Sequence, residues 1–300
     1  MCTCLAWSGE LPVGLLSNLL VAAMCRGKDG TGIAFREYGE KPQTVSYRQS
    51  YSARTFVKAH QDELRRARKS KFGLGHTRRA SLAMKVDAHN AHPFLFGKTF
   101  YIHNGLIRNW KSIDPAVTTD TMVLGPTLDA YAKRGAGGEL DLFKFEGIMA
   151  LAWLRGDNLQ CVKVNQDLTS VVLEWTPDGE TTPRKSCVVV SKFEIFEEAT
   201  RHIKVSCEYV EIELAEGVVY NITPDGPVKI GEAKINPACY TTPDKEALRT
   251  RISTDDDEAI EAAIRDSGDT PGQIGMGLAA RIKKRYDASL NSIRQHLHHP

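Results

Sequence analysis

Between residues 31 and 231 the strand-like runs come mostly as hairpins and the helical runs come in groups, an arrangement that constrains the fold more than any other feature. TGIAFREYG (31–39), KPQTVSYRQS (41–50), KFGLGHTR (71–78) and KTFYIHN (98–104) have the β-branched and aromatic content of strands. So do residues 147–166, a hairpin around Gly156-Asp157, SCVVVSK (186–192), and residues 217–231, which turn at Asp225-Gly226. Helical periodicity covers 53–71, 118–135 and 193–203. Hairpins make antiparallel neighbours, so the pattern predicts stacked layers rather than a doubly wound parallel sheet. No internal repeat interrupts it.

One segment, LPVGLLSNLLVAAMC (11–25), has the length of a secretory apolar region. Its upstream flank carries Glu10 and no Lys or Arg, and Ser17 and Asn18 break a run already too short to span a bilayer. Leu15, Leu16, Leu19, Leu20 and Ala23 fall on one helical face, which predicts a buried first helix. The seven cysteines (2, 4, 25, 161, 187, 207 and 239) are odd in number and irregularly spaced, which suits a reducing compartment, the cytoplasm, better than a disulfide framework. Cys2-x-Cys4 has no second pair at ligand spacing, so no metal is expected, and no motif implies a cofactor. A net charge of +2 makes no case for a nucleic-acid or membrane partner of the whole chain.

After INPACYTTPDKEA (235–247) the texture changes: Asp255 to Asp266 and Gln273 to Leu297 read as helices, with start signals at Ser253/Thr254 and Thr270-Pro271. The order loosely resembles a helix-turn-helix unit, with a basic cluster at Arg281, Lys283, Lys284 and Arg285. The acidic run 255–258 weighs against DNA and favours a docking appendage.

No Ser or Cys with a histidine base stands out as a hydrolytic set. Cys2 offers a different chemistry. Removal of Met1 would leave Cys2 as the N-terminus, with an α-amino group of pKa about 7.7–8.0 able to act as base for its own thiol. After Cys2 come, in order, RGKDGTGIA (26–34), GLGHTRRAS (73–81), NAHPF (90–94), YIHNGLIRN (101–109) and TTDTMVL (118–124). FEGIMALAW (145–153) and LAEGVVYNITPDG (214–226) follow. Together these resemble the class II glutamine amidotransferases, N-terminal-nucleophile enzymes that release ammonia from glutamine, over roughly residues 2–232.

The resemblance implies an α+β fold, a four-layer αββα sandwich of two antiparallel sheets. It spans a glutaminase domain at 1–232, followed by a linker and helical appendage at 233–300. It implies Cys2 as nucleophile, with the Asn104 side chain and the Gly105 backbone N–H as oxyanion donors where the strand from Thr99 ends. Arg78 would grip the α-carboxylate of L-glutamine and Asp120 its α-ammonium. Arg26 and Asp29 would hold a loop beside the nucleophile, and His76 and His92 would support the pocket. Cys4 has no part in this reading. The chain departs from the family at Thr3, where glycine is common, at Arg79, where sugar-aminating members carry tryptophan, and at Met122, where an acidic residue is frequent. With only a short tail beyond the domain, the ammonia acceptor is expected to be a separately encoded synthase. A stand-alone γ-glutamyl hydrolase and an inactive scaffold are the alternatives.

Overall fold

A computed structural model describes residues 2–40, 42–80, 86–135 and 138–240. The expected helices at 255–266 and 273–297, and the helix-turn-helix likeness with them, lie outside the described residues.

In chain order the elements begin with β1 (Thr3–Ser8), α1 (Leu15–Ala22), β2 (Gly30–Arg36), β3 (Thr44–Gln49), α2 (Ala53–Ala59) and α3 (Gln61–Lys69). Next come β4 (Phe72–Arg78), β5 (Phe94–Phe96), β6 (Thr99–Ile107), α4 (Trp110–Ile113) and, after a 3-10 turn at Asp120–Leu124, α5 (Gly125–Arg134). The remainder is β7 (Leu140–Leu142), β8 (Gly147–Arg155), β9 (Asn158–Val164), β10 (Thr169–Trp175), β11 (Arg184–Val190), α6 (Phe193–Thr200), β12 (Cys207–Glu213), β13 (Val218–Thr223) and β14 (Gly226–Ile235). The first sheet runs β12-β10-β11-β1-β4-β2-β3 and the second β5-β6-β8-β9-β13-β14-β7.

Three apolar layers give the expected αββα order. Leucines of α1 pack with Phe56, Leu64 and Phe196 over one face of the first sheet. The second sheet packs Met149, Leu151 and Trp153 against Leu128 and Tyr131 of α5. Between the sheets lie Cys4, Ala6, Ala150, Ala152, Cys161 and Cys187, small side chains that let the two backbones approach. Full burial of α1's Leu15, Leu16, Leu19 and Leu20 is worth about 1.5–3 kcal/mol each, which explains the apolar run at 11–25 without a membrane. No helix of the described residues is long and apolar enough to cross one.

β1 was not evident as a strand, because all six of its residues are buried and no polar alternation marks it. Leu5 and Trp7 face the α1 layer while Cys4 and Ala6 face the second sheet. Gly73 on β4 leaves the space that the Trp7 indole fills.

Several expectations need correction. The second sheet is not wholly antiparallel: β7 joins β14 in parallel through Ala233↔Leu140 and Ile235↔Leu142. That strand carries the fold past residue 232, and Cys239 is buried beyond it, so 233–240 is not a linker. The helix expected over 53–71 is divided at His60, whose backbone leaves helical values. The run 118–135 is helical only from Gly125, where Pro126 opens α5.

A buried ion cluster ties α5 to the second sheet. Asp129 accepts from Thr99 Oγ1 at 2.8 Å and pairs with Lys133 at 2.7 Å and with Arg155. Burial alone would raise this carboxyl, but the bonds from Lys133, Thr99 and the Lys98 amide leave it below the usual range. Asp129→Ala should cost about 3 kcal/mol, near the low end for a broken buried pair because Lys133 keeps contact with water. Asp129 stabilises above the unfolded carboxylate pKa of about 4, and that contribution is lost as pH falls through the lowered folded value. Urea unfolding at pH 7 and at pH 3.5 should show the variant's deficit shrinking in acid.

Candidate active site

Cys2 precedes β1, the central strand of the first sheet, paired with β11 on one side and β4 on the other. The Arg26 Nε donates to the Cys2 carbonyl at 3.0 Å, and the Arg79 backbone N–H donates to the Cys2 sulfur at 3.3 Å. Asp29 braces the same turn, accepting the Ala80 N–H on its carboxylate at 2.9 Å while its own N–H donates to the Arg78 carbonyl at 2.9 Å. Arg26 thus bonds to Cys2 itself, and Asp29 to the residues on either side of Arg79. Burial pushes the Cys2 thiol up; the Arg79 amide and the Arg78 charge oppose that, and Asp120 adds to it. Such a thiol is protonated at neutral pH and needs a base to become a nucleophile.

The strand does not end at Asn104-Gly105. β6 continues to Ile107, pairing His103↔Leu151, Asn104↔Ala150 and Gly105↔Met149 with β8. It stays paired because position 105 carries no side chain. A Cβ there would overlap the Ile148 carbonyl oxygen and sit 2.6 Å from His103 Nε2. Alternation sends neighbouring side chains to opposite faces. Asn104 points between the sheets and donates from Nδ2 to Ser191 Oγ at 3.3 Å, whereas His103 points to the helical side and meets Thr121.

Arg78 is buried at the end of β4, in register with Gly30. Asp120 opens the 3-10 turn, and its Oδ2 accepts the Ile107 N–H at 3.0 Å, two residues beyond Gly105. Arg78 directly precedes Arg79, whose N–H donates to the Cys2 sulfur, so it lies beside the nucleophile. Cys4 lies in the inter-sheet layer, its thiol 3.5 Å from the Ala150 carbonyl.

Beneath the site three histidines form a chain whose tautomers follow from their bonds. His103 Nε2 donates to the Ile148 carbonyl at 3.4 Å, leaving Nδ1 to accept the Thr121 hydroxyl at 3.0 Å. Thr121 in turn accepts His92 Nε2–H at 3.2 Å, and His76 Nε2–H donates to the His103 carbonyl at 3.1 Å. The His76 and His92 rings lie 3.8 Å apart. Burial holds all three neutral: His76 is pulled down to about 3, His92 goes well below its ordinary value, and His103 is lowered despite nearby Asp120. These rings can fix the Asp120 turn against β6 and β4 but cannot supply a proton at neutral pH.

Three groups in contact with the expected residues were not singled out by the sequence. His103 and Thr121 stand inside quoted motifs, so their signal was present. Ser191, one residue past β11, carried none, because only folding brings it to Asn104.

Neutral burial of the histidines has a pH consequence. Between about 3 and 6.5 the unfolded chain binds a proton at His76 that the folded chain does not, so stability falls as pH drops through that window. The loss should approach about 1.4 kcal/mol per pH unit for each such histidine. Denaturant unfolding at pH 7.5 and 5.5 should show it, and His76→Gln should flatten the slope. A slope unchanged by that substitution would contradict the neutral assignment.

No family model matches the chain. Over 118 residues it is 29% identical to a glutamine–fructose-6-phosphate aminotransferase (isomerizing) of Bradyrhizobium diazoefficiens, covering 35% of this chain and 18% of that protein. Among solved structures it is similar to a B. subtilis glutamine phosphoribosylpyrophosphate amidotransferase complexed with ADP and GMP, with TM-score 0.54 and 18% identity. It is also similar to an enzyme described as the allosteric regulatory enzyme of purine biosynthesis, with TM-score 0.55 and 20% identity. Each structural likeness covers 76% of this chain and 48% of the other, so the chain spans about half the length of these relatives. In fold the chain is similar to these amidotransferases, sharing with them the sandwich of two stacked sheets between helical layers.

Proposed function

We propose that the domain hydrolyses the side-chain amide of L-glutamine and that the ammonia passes to a separately encoded synthase. The observation that carries this reading is the meeting of Arg26 and the Arg79 amide at Cys2, with Arg78 adjacent, and of Asp120 with β6, the strand on the facing sheet that carries Asn104 and Gly105. Once Met1 is removed, the Cys2 α-amino group takes the thiol proton and the sulfur attacks the amide carbon. Asn104 Nδ2 and the Gly105 N–H stabilise the resulting oxyanion. Collapse breaks the C–N bond, the ammonium of Cys2 returns its proton to the leaving nitrogen, and ammonia departs. Water then attacks the γ-glutamyl thioester, releasing glutamate and restoring the thiol. Arg78 suits the planar α-carboxylate through a bidentate fork, and Asp120 suits the α-ammonium. The seven unpaired cysteines favour a reducing compartment such as the cytoplasm.

Cys2→Ala should abolish ammonia release from glutamine, whereas Cys4→Ala should retain most of it. Intact mass of the active protein should show Met1 absent; full activity with Met1 retained would sink the mechanism. Release from γ-glutamyl peptides, measured in parallel, separates the glutaminase from a general γ-glutamyl hydrolase.

The remaining roles divide by kinetic parameter. Arg78→Ala and Asp120→Ala remove contacts to groups that do not change during reaction, so they should chiefly raise KM. Asn104→Ala removes a contact that strengthens in the transition state and should lower kcat by about 10²–10³-fold. Steady-state kinetics with glutamine decides each assignment.

A further inference from the structure

Ser191 lies on the loop that follows β11, is buried, and belongs to none of the motifs that mark the site. Its Oγ accepts two bonds, from the Cys4 backbone N–H at 2.8 Å and from Asn104 Nδ2 at 3.3 Å. Its own N–H donates to the Cys4 carbonyl at 3.1 Å. One hydroxyl thus joins the nucleophile's strand, two residues from Cys2, to the side chain of Asn104 on the other sheet.

We propose that Ser191 is a positioning residue that aims the Asn104 amide at the reacting carbonyl. The proposal rests on the reading of Asn104 as an oxyanion donor. An amide NH₂ has two hydrogens in one plane, about 120° apart; holding one on Ser191 Oγ fixes the direction of the other. The two acceptor lone pairs of Ser191 are then both engaged, and its registration to Cys4 sets Asn104 at a fixed place relative to the Cys2 strand. An oxyanion donor acts only when oriented before charge develops, so a freely rotating Asn104 would contribute little. Ser191 itself does not touch the substrate in this scheme.

The test is a double-mutant cycle on glutamine turnover with Ser191→Ala, Asn104→Ala and both together. Ser191→Ala should lower kcat about 10–100-fold with KM within about twofold, as expected when a reacting geometry loosens. In the Asn104→Ala background the same substitution should cost almost nothing, because no amide is left to orient. Alkylation of Cys2 by iodoacetamide, read by mass spectrometry, should proceed at the parental rate in Ser191→Ala and so report an intact nucleophile. Should Ser191→Ala not fold, Ser191→Cys keeps the volume with a weaker acceptor and should lie between parent and Asn104→Ala in kcat. Additive losses in the cycle, or a parental kcat in Ser191→Cys, would overturn the role of Ser191 alone. Normal turnover by Asn104→Ala would instead remove the oxyanion assignment on which it rests.

Discussion

The burial of β1 on both faces is the constraint from which the rest of the arrangement follows. A strand covered by helices on one side and by a second sheet on the other has no freedom of register, since a one-residue slip would exchange Leu5 and Trp7 with Cys4 and Ala6. The large side chains fit only the helical layer, and the small ones only the gap between sheets. Cys2 therefore leaves the end of β1 in a defined place, next to the turn that follows β4. The facing strand β6 is held equally firmly by β8, so the distance between nucleophile and Asn104 is set by the packing of two sheets rather than by a loop.

Polar groups around this end of the sandwich are held at some energetic cost. Four of the eight buried side-chain atoms without a partner among the described residues are Thr3 Oγ1, His76 Nδ1, His92 Nδ1 and Thr119 Oγ1. Each neighbours a site residue in sequence or in space, and such atoms cost about 1–3 kcal/mol apiece. Concentrating that cost here fits a region shaped for binding rather than for maximal stability. The neutral histidine chain adds rigidity at the same place, since every donor in it has a fixed acceptor.

Much of this was legible along the chain. The hairpin pairs, the buried first helix and the layer order follow from apolar spacing and turn residues, which act over a few positions and leave a visible period. Cys2, Arg78, Asn104, Gly105 and Asp120 could be named because their motifs occur in a fixed order. Errors arose where a tertiary contact overruled a local signal. Asn104-Gly105 has the composition of a turn, yet close approach of the Ile148 carbonyl keeps it paired within β6.

By itself the sequence determined which residues carry chemical potential: a cysteine next to the initiator, a buried-type arginine, an Asn-Gly pair, an acid in a threonine-rich turn. These are properties of side chains and of their order. Only the tertiary structure decided which of them meet, that β14 extends the domain past residue 232, and that Ser191 stands between Cys4 and Asn104. The reason is physical. Contacts between residues 87 and 187 positions apart come from stacking two sheets, and no short-range period in a chain encodes the partner across such a gap.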